Sequence, residues 1–151
     1  MILAIGSDHA GYELKEEIIK YLKEQNIEYI DFGTCSCESV DYPDYGLKVA
    51  EAVKQGKCDS GIVICGTGLG ISMSANKVPG IRAAVCANSY MAKMAREHND
   101  GNVLALGARV VGAGLALDIV ETWINSDFEG GKHKKRVDKI SKIEEKYYKE
   151  G

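Results

Sequence analysis

The segment Ile64-Cys65-Gly66-Thr67-Gly68-Leu69-Gly70 sets a thiol at the mouth of three alternating glycines, where a short apolar run gives way to a helical stretch that includes Met73 and Ala75. Glycines let the backbone pack closely and turn its N–H groups toward an anion, and a helix N-terminus adds positive potential there. The segment therefore reads as a cradle for an anion or an oxyanion. A free thiol is only about 3% ionised at neutral pH, a fraction that a helix N-terminus raises. A thiolate so placed has three uses: nucleophile, redox sensor, or base that takes a proton beside a carbonyl while nearby N–H groups hold the enediolate. Plain burial of a small residue at a strand end is equally open at this level. The spacing is G-x-G-x-G and lacks the Lys-Ser/Thr of a P-loop, so neither a dinucleotide fingerprint nor a P-loop fits.

A second group is Gly6-Ser7-Asp8-His9-Ala10-Gly11, which puts a carboxylate and an imidazole side by side after another apolar run. Acid, base and phosphate ligand are available together there, and helix capping by Asp8 is the plain alternative. A nucleotide site in this loop would bring pyrophosphate against Asp8, although Asp31 could act as a ribose-binding acid. In Arg96-Glu97-His98-Asn99-Asp100, His98 suits either a proton shuttle or a complement to a helix C-terminus. Asp41-Tyr42-Pro43-Asp44 reads as a helix start, with Tyr42 free to line a site. Cys35 and Cys37 form a C-x-C without a second pair, which disfavours zinc, and Cys58 and Cys86 read as packing residues.

These loops need a frame. Apolar runs at Ile2–Ile5, Tyr29–Phe32, Ile62–Cys65, Ala83–Cys86 and Val103–Leu106 lack polar alternation and read as parallel strands buried on both faces. Leu14, Ile18, Tyr21 and Leu22 recur at helical spacing between the first two runs, as do Tyr45, Val49, Ala52 and Val53 later. Weaker helical patterns cover Ser89–Glu97 and Ala113–Ile124. The alternation implies a doubly wound five-stranded parallel sheet, Rossmann-like and three-layered (α/β/α), whose ligands settle at the carboxyl ends of the strands. After Gly130 and Gly131 comes a basic run, Lys132 to Arg136, and a mixed helical pattern through Val137, Ile140, Glu144 and Tyr147. Residues 130–151 thus form a basic C-terminal extension, either a solvated tail or a set of working cations.

The 151 residues fit one domain, 1–151, with 45% hydrophobic and 27% charged residues. A formal charge of −3 supplies no field for nucleic acid or anionic membrane, and no apolar stretch approaches the roughly 20 residues of a membrane helix. An odd count of five cysteines and no signal peptide point to reduced thiols in the cytoplasm.

Taken together, the loops at Gly6–Gly11, Ser39–Asp44, Ile64–Gly70 and Arg96–Asn99, with Leu106-Gly107-Ala108-Arg109, resemble ribose-5-phosphate isomerase B across nearly the whole chain. The resemblance implies an aldose-ketose isomerase needing no metal or organic cofactor. His98 and Asp8 would open the furanose ring of ribose 5-phosphate, and Cys65 would carry a proton between carbons 2 and 1 through a cis-enediolate. Gly66, Gly68 and Gly70 would donate N–H groups to the oxyanion, with the Thr67 hydroxyl nearby. Tyr42 and Asn99 would hold sugar hydroxyls, and His9, Arg109, Lys132 and Arg136 the phosphate. Lys132 departs from the family's usual arginine in G-G-R-H-x-x-R, which keeps the charge and loses the bidentate fork. Relatives that use a glutamate base carry it at the position of Ser72 to Ser74, where this chain has no carboxylate. The resemblance also implies a homodimer or a dimer of dimers, with His98, Asn99 and some phosphate ligands reaching the site from the partner. A hexose 6-phosphate (galactose or allose 6-phosphate) is the alternative substrate. Rival classes are a nucleotide-binding module and a thiol redox sensor, though the latter lacks a resolving cysteine close in sequence.

Overall fold

The computed structural model describes residues 1–148. Strand and helix alternate as β1 (Ile2–Ser7), α1 (Tyr12–Glu24), β2 (Glu28–Asp31), α2 (Tyr42–Lys54), β3 (Ser60–Cys65), α3 (Leu69–Ala75), β4 (Ala83–Val85), α4 (Ser89–Glu97), β5 (Val103–Gly107), α5 (Ala113–Ile124) and α6 (Lys132–Tyr147). All five strands are parallel, in the order β2-β1-β3-β5-β4. The α/β class expected from the alternation is the one observed.

The core lies on both faces of this sheet. On one face Leu3, Ile5, Ile62, Ile64, Leu104 and Leu106 meet the apolar stripes of α1, α4 and α5. On the other, Ala4, Val63, Cys65 and Ala105 meet Val49, Ala50 and Ala52 of α2 and Ile71 and Ala75 of α3. Double coverage is why β1, β3 and β5 read as unbroken apolar runs. The same expectation fails for β2 and β4. They are the sheet's edges, and Glu28 and Asp31 of β2 are exposed while β4 is half-buried throughout.

The crossover through α1 covers one face and the connection through α2 the other, so the chain switches faces between β1 and β3. Loops after those neighbouring strands therefore splay apart and leave a crevice at their carboxyl ends. The register is level there: Ser7 pairs with Ile64 and Cys65 with Gly107.

The basic extension is a packed helix, not a solvated tail. His133 and Val137 of α6 are buried, the Gly80 N–H donates to Glu144 at 2.7 Å, and the Tyr148 hydroxyl donates to the Lys77 carbonyl at 2.8 Å. Residues 149–151 of that extension lie outside the described residues. No helix among the described residues is long and apolar enough to cross a membrane.

Candidate active site

The cradle is assembled by three loops that leave no room for side chains between them. A methyl group on Gly11 would lie 2.7 Å from the Ile64 carbonyl oxygen, and one on Gly107 2.6 Å from the Thr67 backbone. Gly68 has φ +81, and a methyl there would approach the Leu106 carbonyl carbon to 3.0 Å. These approaches explain the glycines: the loops after β1, β3 and β5 seat on one another through bare backbone. Hydrogen bonds lock the seat, from Asp8 N–H to Ile64, Ala108 N–H to Cys65, and Arg109 N–H to Gly66.

Cys65 sits at the centre, 5% exposed, and its sulfur accepts the Gly68 N–H at 3.2 Å. That contact aims the Gly68 amide, expected from the resemblance to donate to a substrate oxygen, at the sulfur. The Leu69 N–H turns back to the Thr67 hydroxyl oxygen at 3.2 Å, which leaves the hydroxyl proton free to donate. Gly70, in the first turn of α3, keeps an amide with no intrahelical partner. Gly66 faces the Arg109 guanidinium, whose Nη1 would be 3.2 Å from a methyl on that glycine. The Tyr42 ring lies over Gly70, 2.6 Å from where a methyl would stand.

Asp8 is buried and does not cap α1, whose N-cap is Gly11 without any side-chain bond. Its carboxylate instead accepts the Gly11 N–H at 3.1 Å, holding the loop closed with the acid facing inward. His9 accepts the Val40 N–H on Nδ1 at 3.1 Å, so the neutral ring carries its proton on Nε2 and presents a donor. Ser72 and Ser74 donate their hydroxyls to the Leu69 and Gly70 carbonyls, so neither offers a base.

His98, Asn99, Lys132 and Arg136 lie elsewhere. His98 closes α4 as its C-cap, just before the turn in which Asn102 N–H donates to the Arg82 carbonyl ahead of β4. Parallel topology puts this turn at the amino ends of β4 and β5, a strand's length from Cys65; the six residues of β3 span roughly 20 Å. The start of α6 joins the same edge, since His133 stacks on His98 with ring centroids 4.0 Å apart and planes at 9°. Within one chain the expected residues thus fall into two groups, with Asp8, His9, Tyr42, Cys65, Thr67, Gly66, Gly68, Gly70 and Arg109 on the carboxyl edge.

Two residues of the second group, Glu129 and His133, are not among the candidates that the sequence singles out. The signal was present: the chain has only three histidines, and the other two were already candidates. Lys15 is likewise not among those candidates, although it is fully buried and paired with both Asp31 carboxylate oxygens at 2.9 and 2.8 Å. Burial lowers the Lys15 pKa, and the bonds and charges of Asp31 and Glu16 outweigh it to leave the group raised. Asp31 is thereby committed to Lys15 and to the Gly33 N–H, which removes it as a ribose-binding acid. Cys58 and Cys86 pack as expected, and burial pushes the Cys86 thiol up to about 11. A cleft of about 540 Å³ between the starts of α1 and α5 is lined by Glu13, Glu16 and Glu17 and would repel a phosphate.

Backbone amides aimed at a sulfur and at the space beside it suit chemistry that builds negative charge on an oxygen next to a carbonyl, the work of an α/β enzyme acting on a small anionic substrate. Comparison with known proteins narrows that class. The chain belongs to the Ribose/Galactose Isomerase family, whose model matches residues 3–140. It is 53% identical to ribose-5-phosphate isomerase B of Escherichia coli strain K12 over 95% of this chain and 97% of that one. The structure of Clostridium thermocellum ribose-5-phosphate isomerase B superposes with TM-score 0.97 at 70% identity, covering 98% of this chain and 100% of the other. Ribose-5-phosphate isomerase B from Mycoplasma genitalium, solved with bound ribulose 5-phosphate, gives 0.91 at 40% identity over 95% and 96% of the two chains.

Proposed function

We propose that this chain interconverts ribose 5-phosphate and ribulose 5-phosphate, with Cys65 as the base. The observation that carries the reading is the Cys65 sulfur receiving the Gly68 N–H at 3.2 Å inside a cradle of amides. Near-full-length kinship with ribose-5-phosphate isomerase B enzymes supports the substrate.

In this reading the phosphate anchors on His9 and Arg109 and on Lys132 and Arg136, and the sugar hydroxyls on Tyr42 and Asn99. His98 and Asp8 pass the proton that opens the furanose to its aldehyde. Cys65 then takes the proton from carbon 2, negative charge grows on oxygen 1, and the Gly70 amide and Thr67 hydroxyl stabilise it. The oxygen 2 proton passes to oxygen 1, and the same sulfur returns the carbon-bound proton to carbon 1 as the carbonyl forms at carbon 2. Every step is a proton transfer within one substrate, so this chemistry calls for no redox cofactor.

Because His98 lies a strand's length from Cys65 in one chain, a working site needs the amino edge of a second copy against the carboxyl edge of the first. The unit is therefore a homodimer or a dimer of such dimers, a cytoplasmic enzyme with residues 1–151 as one domain. Assays with ribose 5-phosphate and with galactose and allose 6-phosphates decide the substrate. Wild type is expected to prefer the pentose, and Cys65→Ala to lose at least about 1,000-fold in kcat with its melting temperature nearly unchanged. Full activity of that variant would end the proposal.

A further inference from the structure

His98 does not stand alone at its edge. Glu129 Oε1 lies 4.0 Å from His98 Nε2, and Glu129 Oε2 lies 3.8 Å from His133 Nε2. The two imidazoles are stacked nearly parallel at 4.0 Å. From this geometry we infer that Glu129 and His133 are positioning residues that fix the ring plane and the proton of His98 for ring opening. The inference rests on the role given to His98 above.

The surrounding structure is built to hold this triad. Arg96 donates to the Gly101 carbonyl at 2.6 Å and to the Ser126 carbonyl at 3.3 Å, tying the turn after α4 to the segment before α6. It also pairs with Asp100. The Glu129 N–H donates to the Glu97 carbonyl at 3.0 Å, which sets its carboxylate beside the neighbouring His98. His133 is buried under the stack, whereas the His98 side chain is 37% exposed. An imidazole so exposed at a helix end would sample several rotamers, and a flat buried ring beneath it removes that freedom.

Charge also acts on the buried ring. Burial lowers the His133 pKa first; His98, Lys132 and Arg136 lower it further, and Glu129 alone opposes them. Two imidazolium rings 4.0 Å apart repel, so the buried His133 ring is the one disfavoured as a cation. Glu129 faces the Nε2 edge of both rings. A cation is a poor occupant of the same place, although three ligating atoms lie within 4.8 Å. Parallel planes direct the two ring lone pairs side by side and not toward a common ion.

The test compares wild type, His98→Ala, Glu129→Gln, His133→Ala and His133→Phe, all as full chains, in steady-state kinetics with ribose 5-phosphate. His98→Ala is expected to lose about 100-fold or more in kcat, the scale of a general acid or base. Glu129→Gln and His133→Ala are expected to lose about tenfold in kcat with KM within about twofold, as for groups acting through another residue. His133→Phe keeps the flat surface without the charge and restores most of that loss. The His98 ring-proton resonances shift in His133→Ala and return toward wild type in His133→Phe. Wild-type kcat in both Glu129→Gln and His133→Ala, beside an inactive His98→Ala, overturns the inference and leaves the isomerase reading standing. A loss confined to KM makes His133 a phosphate ligand and overturns it as well. A fully active His98→Ala would instead remove the role on which the inference rests.

Discussion

The edge of the sheet that carries Cys65 and the edge that carries His98 are held together by different means. Around Cys65, backbone touches backbone: Gly11 on Ile64, Gly68 on Leu106, Gly107 on Thr67. Around His98, side chains do most of the holding, through the His98–His133 stack and the Arg96 bonds to Gly101 and Ser126, beside the backbone bond from Glu129 to Glu97. The first construction fixes amide directions to within small tolerances, which a developing oxyanion needs. The second places charge and a proton carrier, whose positions tolerate more adjustment. In the proposed reading proton transfer at carbon belongs to the rigid edge, while phosphate capture and ring opening draw on both, His9, Arg109 and Asp8 from the rigid edge and Lys132, Arg136 and His98 from the adjustable one.

Substitutions at the two edges sharpen this contrast. Gly68→Ala forces a left-handed backbone on a residue with a Cβ and pushes it onto the Leu106 backbone. It is expected to lower kcat about 100-fold and to cost about 2 kcal/mol of stability, read by kinetics and urea unfolding. An equal loss at both edges would break the comparison. Lys132→Arg, on the exposed first turn of α6, should lower KM for ribose 5-phosphate about threefold by adding a bidentate contact, with kcat little changed. A drop in kcat there would mean that the adjustable edge is as exacting as the rigid one.

The same contrast explains what could be read from the chain. The cradle was legible because its signal is local: an apolar run, a cysteine and three glycines within seven residues fix strand, turn and helix start together. The central strands were legible because both faces are covered, and the edge strands were misjudged because a four-residue run such as β2 does not reveal how many neighbours it has. The basic extension stayed ambiguous, since charge along α6 says nothing of Glu144 reaching Gly80. Lys15 was overlooked as one more surface cation, yet its spacing to Ile18, Ile19 and Leu22 places it on the buried stripe of α1. The pairing of His98 with His133 depends on how α4 and α6 meet in space, which no local pattern encodes.

The central claim is that Cys65 of one chain works with His98 of another. Cys65→Ala and His98→Ala chains, given different tags, can be co-expressed and the mixed species isolated. Each parent alone should be inactive. In the mixed dimer one of its two sites carries both substitutions and the other carries neither, so the account predicts about half of wild-type activity. A mixed species as inactive as its parents would contradict it, because that is the outcome for a site made within a single chain.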